Sequence, residues 1–436
     1  MIWDKEETLP REEIEAIQLS KLKETVSYIY KTVDSYHKKM EEAKITPDDI
    51  QSLEDLKKLP FTYKEDFRKN YPMGLFAVDK KDLVRVHASS GTTGKPTIVG
   101  YTQQDMEIWL NNVARVACMG GAKKEDICQI SFGYGTFTGA LGLHGGLEKI
   151  GAAVVPMSSG NTNKQIMFMR DMETTLLVAT PSYALHLGEE IRRRGFDPAV
   201  DTKIRTGLFG GEGMTEAMRK EMLKVWGEKF LCTQNYGMSE LCGPGVAGEC
   251  TKMKGMHINE DWFIPEIIDP KTEEVLQEGE TGELVITCLG REAIPLIRYR
   301  TGDLTRLTYE KCECGRTTVR MDAISGRADD MLVIRGVNVF PSQIEEVLFK
   351  IPQIGPHYEI LVERKEHLDV MTITVELTDE RLLESYAQLS SLEKKIKTDL
   401  KSMLGLATNI KLAAPHSLQR FEGKAKRVKD LRKDGM

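Results

Sequence analysis

From about residue 83 onward the chain alternates short β-rich runs, closed by glycine or proline, with helix-like stretches, and this alternation constrains the fold more than any other feature. Leu83-Val84-Arg85-Val86, Leu176-Leu177-Val178-Ala179 before Pro181, and Gly282-Glu283-Leu284-Val285-Ile286 read as strands, whereas Tyr183 to Arg194 reads as a helix. Strands separated by helices are joined by crossovers, which set neighbouring strands parallel. The expectation is an α/β domain with a largely parallel sheet. Ahead of it, Ile14, Ile17, Leu19, Leu22, Val26, Ile29 and Val33 recur at helical spacing after Pro10 and predict an amphipathic packing helix.

The texture changes again near residue 329. Ser342 and Glu345, after Pro341, have the form of a capping box opening a helix through Ile344, Val347 and Leu348. Tyr358 to Val362 and Val370 to Val375 read as strands, Leu392 to Leu404 as a helix, and Ile410 to Leu412 as a further strand. These elements predict a small α+β domain, so the 436 residues divide at 1–329 and 330–436.

Charge and composition exclude several classes. With 60 Lys and Arg against 66 Asp and Glu the net charge is −6, which argues against a strongly basic nucleic-acid binder. No run approaches the ~18 apolar residues of a membrane span, and Met1-Ile2-Trp3-Asp4-Lys5-Glu6-Glu7 lacks the regions of a signal peptide. A cytoplasmic protein without nucleic-acid or membrane partners is expected. The eight cysteines are scattered, which favours reduced thiols or a metal site over a disulfide scaffold.

Four segments carry candidate chemistry. Ser89-Ser90-Gly91-Thr92-Thr93-Gly94-Lys95-Pro96-Thr97 follows a strand, and its accessible backbone N–H groups, hydroxyls and one cation suit a triphosphate. The glycine spacing and Pro96 exclude a Walker A loop, and a plain turn is the alternative. Gly210-Gly211-Glu212-Gly213, Asn235-Tyr236-Gly237-Met238-Ser239-Glu240 and Tyr299-Arg300-Thr301-Gly302-Asp303 each follow a β-like run, where loops gather into ligand sites. An aromatic beside glycine can stack on a purine, and an isolated acid can hold a ribose diol or magnesium.

A separate constellation points to a metal. Cys250 and His257, with six residues between them, and Cys312 and Cys314 supply the four ligands of a closed tetrahedral zinc site. The alternative is a set of reduced thiols and a histidine. Cys118, Cys128, Cys232, Cys242 and Cys288 are expected to be ordinary buried cysteines.

Together these segments resemble the adenylate-forming superfamily of acyl-CoA synthetases and, within it, the phenylacetate–coenzyme A ligase family. The likeness runs from Leu59-Pro60-Phe61-Thr62-Tyr63-Lys64 to Gly423-Lys424-Ala425-Lys426-Arg427-Val428. Its most specific parts are Tyr236 to Glu240 with Gly243-Pro244-Gly245-Val246, Pro295 to Asp303, Gly326-Arg327-Ala328-Asp329-Asp330-Met331-Leu332, and Arg335-Gly336-Val337-Asn338-Val339-Phe340-Pro341. The resemblance implies an α/β fold with a large multi-subdomain N-terminal adenylate-forming domain and a small mobile α+β C-terminal domain.

It also implies roles. Ser89, Ser90, Gly91, Thr92, Thr93, Gly94 and Lys95 would form the phosphate loop. Gly211, Glu212, Asn235, Tyr236, Gly237, Met238 and Ser239 would line the nucleotide site, with Tyr236 against adenine and Ser239 near the α-phosphate. Glu240 would hold Mg2+, Asp303 the ribose hydroxyls, and Arg327 the nucleotide near the domain junction. Asp329 would be the hinge and Gly336 would face the pantetheine arm. Lys424 would reach the reacting carboxylate, although it lies in a basic tail whose charges also read as a solvated face, with Lys426 as the alternative. Phe132-Gly133-Tyr134-Gly135-Thr136-Phe137 combines aromatics with glycines, and Tyr134 would line the acid pocket; packing of Phe132 and Phe137 in a core turn is the alternative.

The implied reaction is ATP-dependent ligation of an arylacetic acid, most simply phenylacetate, to coenzyme A with release of AMP and pyrophosphate. The rivals are another aryl acid such as indoleacetate, a carrier-protein thiol as acceptor, or a nucleotide-binding relative without catalysis. A homodimer is compatible with this family reading.

Overall fold

The Leu176–Ala179 strand is buried along its whole length, and its residues alternate between two cores. Leu176 and Val178 pack in one cluster with Val113, Ala117 and Leu147, whereas Leu177 and Ala179 pack in another with Tyr183, Leu187 and Met222. A strand with helices on both faces must be apolar at every position, which explains the continuous run in the sequence. The computed structural model describes residues 1–89, 96–327, 332–334, 337–365, 368–421 and 425–433.

This strand belongs to a nine-stranded sheet. Its parallel half runs Ala153–Val155, Ile127–Ile130, Leu176–Ala179, Thr206–Phe209 and Leu231–Met238. Beyond Leu231–Met238 the sense reverses, and Gly243–Glu249, Met256–Ile258, Arg320–Met321 and Leu307–Thr308 continue antiparallel. A second sheet of four antiparallel strands comprises Phe263–Ile268, Gly282–Cys288, Tyr299–Thr305 and Gly326–Arg327. The expected packing helix is Arg11–Thr32, with Ile14, Leu22, Val26 and Ile29 buried.

Leu332 to Leu412 build a separate core around Val339, Ile344, Ile360, Ile373, Ile396 and Leu400. Here Asn409–Ala413, Leu368–Leu377, Ile354–Lys365 and Val428–Asp430 form one sheet, flanked by the helices Pro341–Leu348 and Tyr386–Leu404. The capping box expected at Ser342 and Glu345 is not what opens the first helix. Pro341 is already its first residue, Phe340 is the cap, and the Gln343 side chain accepts the Phe340 N–H at 3.0 Å. Ser342 instead donates to the Ser325 carbonyl, and Glu345 turns to Arg427, Tyr358 and Thr215. Among the described residues no helix is long and apolar enough to cross a membrane.

Candidate active site

Three residues that are far apart in the sequence meet where the two sheets of the large body face each other. The Tyr236 hydroxyl donates to Asp303 Oδ2 at 2.7 Å, and Arg327 donates to Asp303 Oδ1 at 2.7 Å. Asp303 and Arg327 are register partners on adjacent strands, so the ion pair is fixed by backbone pairing. Burial, reinforced by the Asp303 charge, drives the Tyr236 phenol well above its ordinary value and keeps it a donor.

The strand ends of the parallel half supply the rest. Gly211 has φ 78°, a left-handed conformation, and Phe132 packs over it. Asn235 donates to the Phe209 carbonyl at 2.9 Å, which closes the Gly210 turn. At Gly237 a Cβ would lie 1.7 Å from the Gly243 carbonyl oxygen, so the tight turn back into Gly243–Glu249 admits only glycine. Met238 is half-buried, Ser239 lies 3.4 Å from the Thr138 hydroxyl, and Glu240 is buried in the one-turn helix Ser239–Leu241.

Glu212 joins this site to the C-terminal part. Its carboxylate accepts the Ser182 hydroxyl at 2.8 Å and the backbone N–H of Ala425. Ser90, Gly91, Thr92, Thr93, Gly94, Lys95, Asp329, Gly336 and Lys424 lie outside the described residues. Ser89 is described at the base of its loop, where its hydroxyl accepts the Thr97 N–H at 3.1 Å. Lys426 is exposed.

In the Phe132 to Phe137 segment, the Tyr134 hydroxyl and His144 Nδ1 are 3.0 Å apart, and His144 Nε2 faces Glu148 at 2.9 Å. Burial, with Glu148 adding to it, pushes the Tyr134 phenol up to about 12. Phe132 packs against Gly139 and Gly211, but Phe137 is exposed and is not part of a core turn. The residue-level reading missed His144, which lies on the next helix, Thr138–Lys149. It also missed Arg291, a buried guanidinium that donates to the Glu240 carbonyl and stacks near Tyr101. The visible signal was a lone arginine between Gly290 and Glu292, in the loop that follows the Gly282–Cys288 strand.

The four expected metal ligands do come together. Cys250, His257, Cys312 and Cys314 offer ligand atoms that all lie within 4.8 Å of one another. Cys250 Sγ and Cys312 Sγ are 3.7 Å apart, and Cys314 Sγ is 3.4 Å from His257 Nε2. The Thr318 hydroxyl and carbonyl, 3.2 and 3.3 Å from His257 Nδ1, fix the ring. The other five cysteines are buried, as expected.

Comparison with known proteins agrees with this architecture. The AMP-binding enzyme family matches residues 7–288, and the AMP-binding enzyme C-terminal domain matches residues 336–432. The chain is 46% identical to the phenylacetate-coenzyme A ligase of Thermus thermophilus, over 98% of each chain. The chain therefore belongs to the phenylacetate–coenzyme A ligase family of the adenylate-forming enzymes.

Its structure resembles a 2-hydroxyisobutyryl-CoA ligase in the postadenylation state with R3-HIB-AMP, at TM-score 0.91 and 27% identity, covering 99% of this chain and 92% of that one. With the same ligase in the thioesterification state the TM-score is 0.72 at 27% identity, over 98% and 91% of the two chains. The whole chain thus superposes better on the former structure than on the latter.

Proposed function

We propose that the protein is an AMP-forming acid–thiol ligase that joins an arylacetic acid, with phenylacetate as the leading substrate, to coenzyme A through an acyl-adenylate. The observation that carries this reading is the meeting of Tyr236, Asp303 and Arg327 in a chain that matches a phenylacetate-coenzyme A ligase over nearly its whole length. The acid carboxylate attacks the α-phosphorus of ATP, the bond to pyrophosphate breaks, and an acyl-adenylate remains. The coenzyme A thiol then attacks the carbonyl, loses its proton, and AMP leaves.

Both steps bring negative groups together, so the chain must supply donors and cations. In this reading residues 89–95 enclose the phosphates, Asp303 takes the ribose hydroxyls, Tyr236 lies against adenine, and Arg327 ties the ribose acid to the domain junction. Gly211, Glu212, Asn235, Gly237, Met238 and Ser239 shape the floor. Magnesium supplies charge neutralisation across the phosphates, and Glu240, a buried carboxylate and hence a hard oxygen donor, fits it. Lys424 serves adenylation, Asp329 turns the small domain, and Gly336 faces the pantetheine arm in the second step. The division at 1–329 and 330–436 is supported by the separate core of the C-terminal part. Tyr134, held by His144, lines the acid pocket.

A structural Zn2+ in the Cys250, His257, Cys312 and Cys314 cage completes the cofactor set. Tetrahedral Zn–S bonds of about 2.3 Å and Zn–N bonds of about 2.0 Å give edges of about 3.8 Å between sulfurs and about 3.5 Å from sulfur to nitrogen. The cage edges of 3.7 and 3.4 Å fit that figure, and a disulfide does not.

The test of the activity is AMP and acyl-CoA formation with ATP, magnesium and coenzyme A across phenylacetate, indoleacetate, benzoate and a fatty acid. Preference for the arylacetates is expected. Pyrophosphate without acyl-CoA would point to a carrier-protein acceptor, and no turnover of any acid would overturn the enzymatic reading.

A further inference from the structure

The loop between Leu307–Thr308 and Arg320–Met321 has little regular structure, yet it organises distant pieces of chain. Its Cys312-Glu313-Cys314-Gly315 turn closes through the Gly315 N–H on the Cys312 carbonyl at 3.1 Å, with Gly315 at φ 89°. The next two residues hold the N-terminal segment. Arg316 Nε donates to Glu7 Oε2 at 2.5 Å, and its NH2 group donates to the Met1 carbonyl at 2.6 Å. The Thr317 N–H donates to the Glu7 carbonyl at 3.1 Å, and its hydroxyl donates to the Leu9 carbonyl at 2.6 Å.

Glu7 and Arg316 are 1% and 3% exposed, so this pair is part of the interior. Trp3 and Asp4 have anchors of their own in Asn111 and Arg115 on the Gln103–Met119 helix. Among the described residues, the hydrogen bonds of Glu7 and Leu9 to distant chain all go to Arg316 and Thr317. A segment whose only regular structure is the one-turn helix Lys5–Thr8 depends on that clasp for its position.

Resting on the reading of the cage as a zinc site, we propose that the bound metal is a fastener. It locks the 312–315 turn against the antiparallel hairpin of Gly243–Glu249 and Met256–Ile258, and thereby holds Arg316 and Thr317 where they clasp Glu7 to Leu9. Cys250 follows the first of these strands directly and His257 is the centre of the second, so the cage joins the loop to rigid sheet. The Thr318 contacts that orient His257 come from the same loop, one residue beyond the clasp.

The test uses the full chain purified without chelator. Elemental mass spectrometry measures its metal, and hydrogen exchange by mass spectrometry is read before chelation, after it, and after Zn2+ is restored. One zinc per chain is expected. Chelation should raise exchange at residues 7–9 and 312–319 about tenfold or more, reversed by Zn2+, while the Leu368–Leu377 strand stays protected.

If the protein carries no zinc and takes up none when it is added, the cage reading fails and the fastener with it. If zinc is bound but residues 7–9 exchange no faster without it, the fastener fails and the cage stands. A rise in exchange everywhere, the Leu368–Leu377 strand included, also overturns a local fastener. Arg316→Ala separates clasp from cage: it should keep its zinc and release residues 7–9, and unchanged exchange there would overturn the clasp.

Discussion

His357 and Glu189 meet at 3.1 Å, the histidine on the Ile354–Lys365 strand of the small part and the glutamate on the Pro181–Arg193 helix of the large body. The Thr215 hydroxyl crosses the same seam to Glu345 at 2.9 Å. These polar contacts join the small part to the large body, and in the proposed two-step reaction they must break for the second step.

Glu189→Gln keeps the shape and removes the charge. A half-buried polar contact of this kind is worth about 1 kcal/mol, so pyrophosphate release in the first half-reaction should fall roughly two- to fivefold. Thioester formation from synthetic acyl-adenylate should stay unchanged. Equal loss in both assays would show that the pair does not favour one domain position.

The same pair predicts a pH dependence. Burial raises the Glu189 carboxyl, but the His357 hydrogen bond and charge outweigh it and hold the group below its ordinary 4.5. A carboxyl lowered by folding stabilises above its unfolded value and loses that contribution as pH falls through the folded one. The difference in Tm between the native chain and Glu189→Gln should therefore shrink as pH falls below about 4.5. A difference that grows in acid would contradict the assignment.

Tyr236→Phe removes a hydroxyl that donates to the Asp303 carboxylate. A buried hydrogen bond to a charged group is worth about 1.5–3 kcal/mol, so KM for ATP should rise roughly tenfold or more with KM for coenzyme A little changed. Steady-state kinetics with each co-substrate varied in turn separates this from a general loss of fold.

Lys424→Ala should abolish adenylation while thioester formation from synthetic acyl-adenylate largely survives. Loss of both half-reactions to the same degree would remove Lys424 from the adenylation role and bring Lys426 forward.

Gly237→Ala tests backbone geometry alone. The added carbon would fall 1.7 Å from the Gly243 carbonyl oxygen, and the atoms it meets, in Gly243 and Pro244, are backbone. The turn must open to accommodate it, at a cost of several kcal/mol. Thermal denaturation should show a Tm many degrees lower, with nucleotide affinity lost as well.

What could be read in the sequence follows from what periodicity encodes. The Leu176–Ala179 strand and the Arg11–Thr32 helix were legible because burial on two faces, or on one, leaves a direct pattern. The reversal of sheet sense after Leu231–Met238 was not, since alternation of apolar residues says nothing about the direction of a neighbour. The Ser342 and Glu345 pairing was misread because Pro341 could itself begin the helix, which left Glu345 free for Arg427 from the far end of the chain. Candidate site residues were recognisable through motif order, and the resemblance grouped them at one nucleotide site, but no spacing rule shows that the Tyr236 hydroxyl meets Asp303. Arg291 escaped notice because its role is to hold the Glu240 backbone, which no side-chain motif records.

The buried pair of Glu7 and Arg316 spans 309 residues of sequence. A ribosome adding about 5–20 residues per second needs on the order of a quarter of a minute to a minute to make the arginine after the glutamate has emerged. Through that interval Glu7 lacks its buried cation, and although Trp3 and Asp4 can already meet Asn111 and Arg115, residues 7–9 can be clasped only after most of the large body has been synthesised. The beginning of the chain is thus among the last parts to find its place.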